Sequence, residues 1–123
     1  MMTSLLSIAL GGALGASARY LTGLAALRLF GAGFPWGTLT VNVLGSFLMG
    51  LLFVLLGQGG RFSPLLMTGL LGGFTTFSAF SLDAVALYDK GAVGLAGIYV
   101  LASVILSITA LIAGIALARS FAA

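Results

Sequence analysis

The sequence has 123 residues, of which 61% are hydrophobic and 6% charged, with no His and no Cys; its mean hydropathy is +1.28. A soluble domain is about a quarter charged, so there is too little polar surface here to cover a water-soluble globule. His, Cys and Glu are all absent, which removes the usual donors of acid–base catalysis, thiol chemistry and transition-metal ligation and argues against an enzyme, and the five cations are scattered singly, which argues against a nucleic-acid partner.

A bilayer's hydrocarbon core takes roughly 20 helical residues, and clusters of Gly, Pro and charge divide the chain into four such lengths, at about 4–29, 36–56, 64–87 and 92–118. This predicts an all-α integral membrane protein whose single transmembrane domain occupies residues 1–123. The first span begins with "MMTSLLSIALGGALGA", similar to the apolar core of a signal peptide. No Lys or Arg precedes Arg19 to form a charged leader, so it reads as structure. The pairs Gly11/Gly15 and Gly12/Ala16 suit close helix packing. Arg19 lies within or near the end of this span, where a lipid-facing cation is costly, so it either snorkels or faces a wet cavity.

The second span contains "GTLTVNVLGSFLMG", in which Thr38, Asn42 and Ser46 recur every four residues as one polar stripe. A mid-membrane carboxamide such as Asn42 either bonds across to another helix or faces a solute. In the third span, "GGFTTFSAF" (72–80) places two glycines beside hydroxyls. A helix breaks in lipid only where protein or water covers the break, so this stretch belongs in an interior. Gly72 and Gly73 can release the backbone, and Thr75, Thr76 and Ser78 can re-satisfy it or leave carbonyls free for a cation. Gly69 and Gly73 equally make a close-packing pair. Phe77 and Phe80 share one helical face: they are either core packing or a pair whose positive ring edges face an anion. Asp83 is a candidate partner for Arg19 or an interfacial residue. On the fourth span Tyr99, Ser103 and Ser107 follow at intervals of four with Thr109 nearby, either as a packing face or with hydroxyls bonded back to the preceding turn.

Orientation follows an excess of Lys and Arg on the cytoplasmic side. Arg61 and Arg119 at one end balance Arg28 and Lys90 at the other. The balance predicts a chain that inserts either way up, so that opposed copies can pair about an axis in the membrane plane, unless Arg19 or the N-terminal amine breaks the tie. The intramembrane polar groups are hydroxyls, one amide, ring edges and one arginine. Cation pathways and proton-coupled transport use intramembrane carboxylates instead. The set favours a small anion that bonds strongly to hydrogen donors.

Three segments in order, "GGALGASARY" (11–20), "GTLTVNVLGSFLMG" (37–50) and "TGLLGGFTTFSAF" (68–80), resemble the small bacterial fluoride channels, the Fluc or CrcB family, and "YVLASVILS" extends the likeness to the fourth span. The resemblance implies an antiparallel, dual-topology homodimer of four-helix subunits with a broken third helix, in the bacterial inner membrane. It implies two fluoride pores and a structural sodium ion at the subunit interface, held by the backbone carbonyls of Gly72 and Thr75. Asn42, Thr76, Phe77, Phe80, Tyr99, Ser103, Ser107 and Thr109 would form the fluoride pathway, with Arg19 in a vestibule. Ala79 departs from the family, which often has Thr there, and removes only a supporting hydroxyl. The implied role is passive fluoride export that protects the cell. The alternatives are a small multidrug-type exchanger, which needs a membrane-embedded glutamate that this chain lacks, and a non-transporting assembly subunit whose polar stripe faces a partner protein.

Overall fold

Glycine, proline and short polar runs set the ends of the helices in the computed structural model, which describes residues 1–57 and 59–122. Gln58, in the expected break after the second span, lies outside them. Helix α1 (Met2–Phe30, 29 residues) stops at Gly31, whose φ of 79° suits a residue without Cβ and whose N–H closes on Leu27 O. Helix α2 (Trp36–Leu55) starts directly after Pro35. Helix α3 combines Pro64–Leu71, wound in wide π-type turns, with the short continuation Gly72–Phe74. Helix α4 covers Ser78–Asp89 and helix α5 covers Val93–Ala122. The fold is all-helical, with no strand among the described residues. Helix α5 runs beyond the expected end at residue 118; no breaker follows, and Arg119 in the last turn complements the negative end of the helix dipole.

Three of these stretches, Trp36–Leu55, Pro64–Asp89 and Val93–Phe121, are long and apolar enough to cross a membrane. Helix α1 has the length, but Arg19 stands inside it. Leu101, Ile105, Ile108 and Ile112 on α5 are 58–63% exposed and follow one another at helical spacing, an apolar stripe that water would not tolerate.

Backbone-to-backbone contact at glycine holds the helices together. Helix α1 lies against α3, where a Cβ on Gly11 would strike Leu65 O and one on Gly15 would strike Leu70 O. From the other side, a Cβ on Gly73 would come 2.7 Å from Gly12 O. Helices α2 and α5 meet the same way, Gly50 against Leu111 O and Gly114 against Phe47 O. In lipid, such close approach replaces the hydrophobic drive available in water. A small buried cluster of Leu39, Phe80, Leu87, Ala96 and Tyr99 forms where α2, α4 and α5 converge, with Phe34 of the α1–α2 loop packed against it.

Gly114→Val would force the α2–α5 pair apart. The expected loss is at least about 1–3 kcal/mol, the usual cost of overpacking, read as a lower unfolding midpoint in detergent. Gly94→Ala, with nothing within 4 Å of its added Cβ, should leave the midpoint unchanged.

Candidate functional site

The polar residues gather where α3 gives way to α4. Thr75 leaves helical geometry with φ −86° and ψ 160°, and the helix resumes at Ser78. Backbone groups freed by such an interruption need partners, and neighbouring side chains supply most of them. Asn42 Nδ2 donates to Thr76 O at 2.9 Å, and Thr76 N–H donates to Asn42 Oδ1 at 2.8 Å. The carboxamide thus copies the donor and acceptor of a peptide unit and ties α2 to the interrupted segment, while Asn42 also lines the groove described below. Arg19 Nε donates to Gly73 O at 3.1 Å, the Thr75 hydroxyl donates to Leu71 O at 2.9 Å, and Thr76 Oγ1 accepts from Ala79 N–H at 3.2 Å. Gly45 makes room for this segment, since a Cβ there would collide with Thr75 Cγ2. Among the described residues, none donates a hydrogen bond to the carbonyl oxygen of Gly72 or Thr75.

On one side of the interruption lies a groove of about 510 Å³ lined by Asn42, Ser46, Thr75, Thr76, Phe77, Phe80, Ser103 and Ser107. The Phe77 and Phe80 rings are 5.3 Å apart and tilted by 59°. Phe80 is 8% exposed and belongs to the core cluster, whereas Phe77 is 76% exposed and stands free in the groove. The hydroxyl oxygens of Ser103 and Ser107 are closed off from solvent and have no hydrogen-bond partner among the described residues. That is the energetically expensive state of a polar group.

On the other side, Arg19 shares a smaller cavity of about 270 Å³ with Thr38, Thr76 and Ala79. The predicted stripe therefore divides: Asn42 and Ser46 line the groove, while Thr38 stands with Arg19. Ala79, the departure from the family pattern, likewise faces the Arg19 cavity and leaves the groove's lining intact. Tyr99 is fully buried behind Phe80, with ring centroids 5.3 Å apart, and its hydroxyl donates to Asp83 Oδ2 at 3.1 Å. The candidate pairing of Arg19 with Asp83 is thereby corrected, because Asp83 is taken by Tyr99 and Arg19 by a backbone carbonyl. Thr109 is exposed and lies apart from the groove.

The sequence pattern missed the backbone of Thr76 as the partner of Asn42. The usable signal was stoichiometric: an amide in lipid needs both a donor and an acceptor, and a glycine-flanked break leaves one of each unpaired. Asn42→Leu should orphan both groups, each worth about 1–3 kcal/mol when buried. The expected result is exchange of the Thr76 amide with deuterium at least about tenfold faster, with helices α2 and α5 still protected.

The family model described as "CrcB-like protein, Camphor Resistance (CrcB)" matches residues 6–115. A protein of Cereibacter sphaeroides named "Fluoride-specific ion channel FluC" is 63% identical over 124 residues, covering 100% of both chains. Proteins of the same name from Ruegeria sp. and Agrobacterium fabrum are 55% and 52% identical, over 97% of this chain in each case and over 97% and 98% of their own lengths. With a family match from residue 6 to residue 115 and relatives of this identity along the whole chain, the protein belongs to the CrcB-like family.

Proposed function

We propose that this chain is the subunit of a fluoride-selective channel that lets fluoride leave the cell passively across the bacterial inner membrane; its relatives are named fluoride-specific ion channels. The observation that carries the reading is the pair of buried hydroxyls, Ser103 and Ser107, left without partners among the described residues and lying along the groove that holds Asn42, Phe77 and Phe80. A serine hydroxyl turns at little cost and donates one proton. The second amide proton of Asn42 and the positive edges of the two rings add further donors of the same kind. All are uncharged. An anion gains enough from them to shed water without being trapped by a full opposite charge, and the smallest halide gains most from closely spaced donors. The Arg19 cavity supplies a fixed positive charge nearby and raises the local concentration of anions. No step in this reading changes a covalent bond, so the protein is a conduit and not an enzyme.

In this reading the single transmembrane domain has four spans: α1, α2, the interrupted α3–α4 unit and α5. Two oppositely inserted copies complete the channel as a dual-topology homodimer. The even balance of cations at the two ends and the wide apolar faces left bare on one copy support it. A structural sodium ion at the interface fits the residues present. Gly72 and Thr75 offer neutral carbonyl oxygens that no described residue satisfies, whereas no cluster of His, Cys, Asp or Glu stands among the described residues to favour a harder-bound divalent or transition metal. When bound, the ion would supply positive charge to those carbonyls. This chain's own part is to expose them by the extended turn at Thr75.

Purified protein in liposomes loaded with fluoride should empty within seconds to minutes as followed by an anion electrode, while chloride-loaded liposomes stay full. Phe80→Ile is expected to abolish fluoride efflux with the dimer still present by cross-linking. Fluoride retention by the unaltered protein would overturn the channel reading. Exchanging sodium for a bulky organic cation during purification should lower flux and loosen the dimer. A resolved metal site with other ligands would refute the assignment to Gly72 and Thr75.

A further inference from the structure

An unbroken run of ring contacts leads from the α1–α2 loop to the groove. Phe34 lies 4.7 Å from Trp36 and meets the Tyr99 ring edge-on at 5.5 Å and 88°. Tyr99 lies 5.3 Å from Phe80, and Phe80 lies 5.3 Å from Phe77. Phe34 is a loop residue, partly buried, whose ring packs against the core cluster. Its place is secured by Gly31, whose positive φ turns the chain, and by the bond from Trp36 N–H to Phe34 O at 2.8 Å.

Phe80 needs such support. It follows the extended turn at Thr75 by five residues, so regular helix does not dictate its direction from the N-terminal side. Its ring packs on Tyr99 within the buried cluster that also holds Leu39, Leu87 and Ala96. Tyr99 is held there by that cluster, by the bond of its hydroxyl to Asp83 and by the Phe34 ring, which meets it at 88°. Of these neighbours, Phe34 is the one that reaches Tyr99 from the loop between two helices.

We infer that Phe34 is a positioning residue for the groove: from outside the spans, it holds Tyr99 against Phe80 and so fixes the spacing of Phe80 and Phe77. The inference rests on the channel reading above. Phe34 touches no transported ion and acts only through Tyr99.

Single-channel recording in planar bilayers tests it, because unitary current is independent of how much protein folds or pairs. The unaltered channel, Phe34→Tyr, Phe34→Leu and Phe34→Ala are compared. Phe34→Tyr keeps the ring edge and should hold unitary fluoride current within about twofold of the unaltered channel, whereas Phe34→Leu, which fills most of the space without a ring, should lower it by about fivefold, the shift in a two-state equilibrium expected from losing one aromatic pair. Phe34→Ala should lower it further and admit measurable chloride. Unaltered unitary current in Phe34→Leu would overturn the inference, as would an equal loss in Phe34→Tyr and Phe34→Leu. A channel with no fluoride current before any substitution would instead overturn the conduction reading and the inference with it.

Discussion

The exchange of two hydrogen bonds between the Asn42 side chain and the backbone of Thr76 is the constraint on which the middle of this molecule depends. A helix that opens within a hydrocarbon layer loses backbone bonds, and each loss costs several kcal/mol if no partner is found. Asn42 returns both the donor and the acceptor, so the chain can hold Thr75 in an extended conformation and still remain in an apolar setting. Arg19 at Gly73 and the Thr75 and Thr76 hydroxyls complete the repair. Among the described residues, the carbonyls of Gly72 and Thr75 are left without a donor.

The opening works only because the helices around it approach closely. Gly45 admits Thr75, and Gly11, Gly15 and Gly73 bring α1 and α3 together along their backbones. The glycines of "GGFTTFSAF" stay helical and serve packing at Gly73, while the backbone leaves helical geometry at Thr75, so the expected release at Gly72 and Gly73 is corrected. Close helices leave little volume for side chains. The buried core is accordingly small, and many large apolar residues face outward.

The polar groups along the groove carry no formal charge. Among the described residues the Ser103 and Ser107 hydroxyls have no hydrogen-bond partner, and Asn42, Phe77 and Phe80 line the same groove. Hydrogen bonds from neutral donors strengthen in a low-dielectric setting, yet they release an anion more readily than an ammonium or guanidinium would. Arg19 stands on the far side of Thr76, in its own cavity. Thr76 lines that cavity and the groove alike. Phe80 is buried against Tyr99, and Phe77 is exposed in the groove.

The amino-acid sequence alone determined that the chain is helical and lipid-embedded, since so few charges leave no other stable arrangement, and Gly31, Pro35 and Pro64 marked where helices stop and start. It also determined the stock of donors, because helical periodicity shows which residues share a face of one helix. Partners were a different matter. Whether Asn42 meets Thr76 or a solute, whether Arg19 meets Asp83 or Gly73, and whether Thr38 and Thr109 join the groove all depend on how one helix is rotated against the next. That rotation is set by glycine contacts between distant segments and by the extended turn at Thr75, which shifts the phase of every residue after it. The wide turns of Pro64–Leu71 were equally hidden, because a run as uniformly oily as "PLLMTGLL" carries no polar marker to distinguish one winding from another. Only the packed tertiary structure decided these pairings, for a hydrogen bond in lipid is chosen by the angle and distance between two elements and not by the order of residues along either.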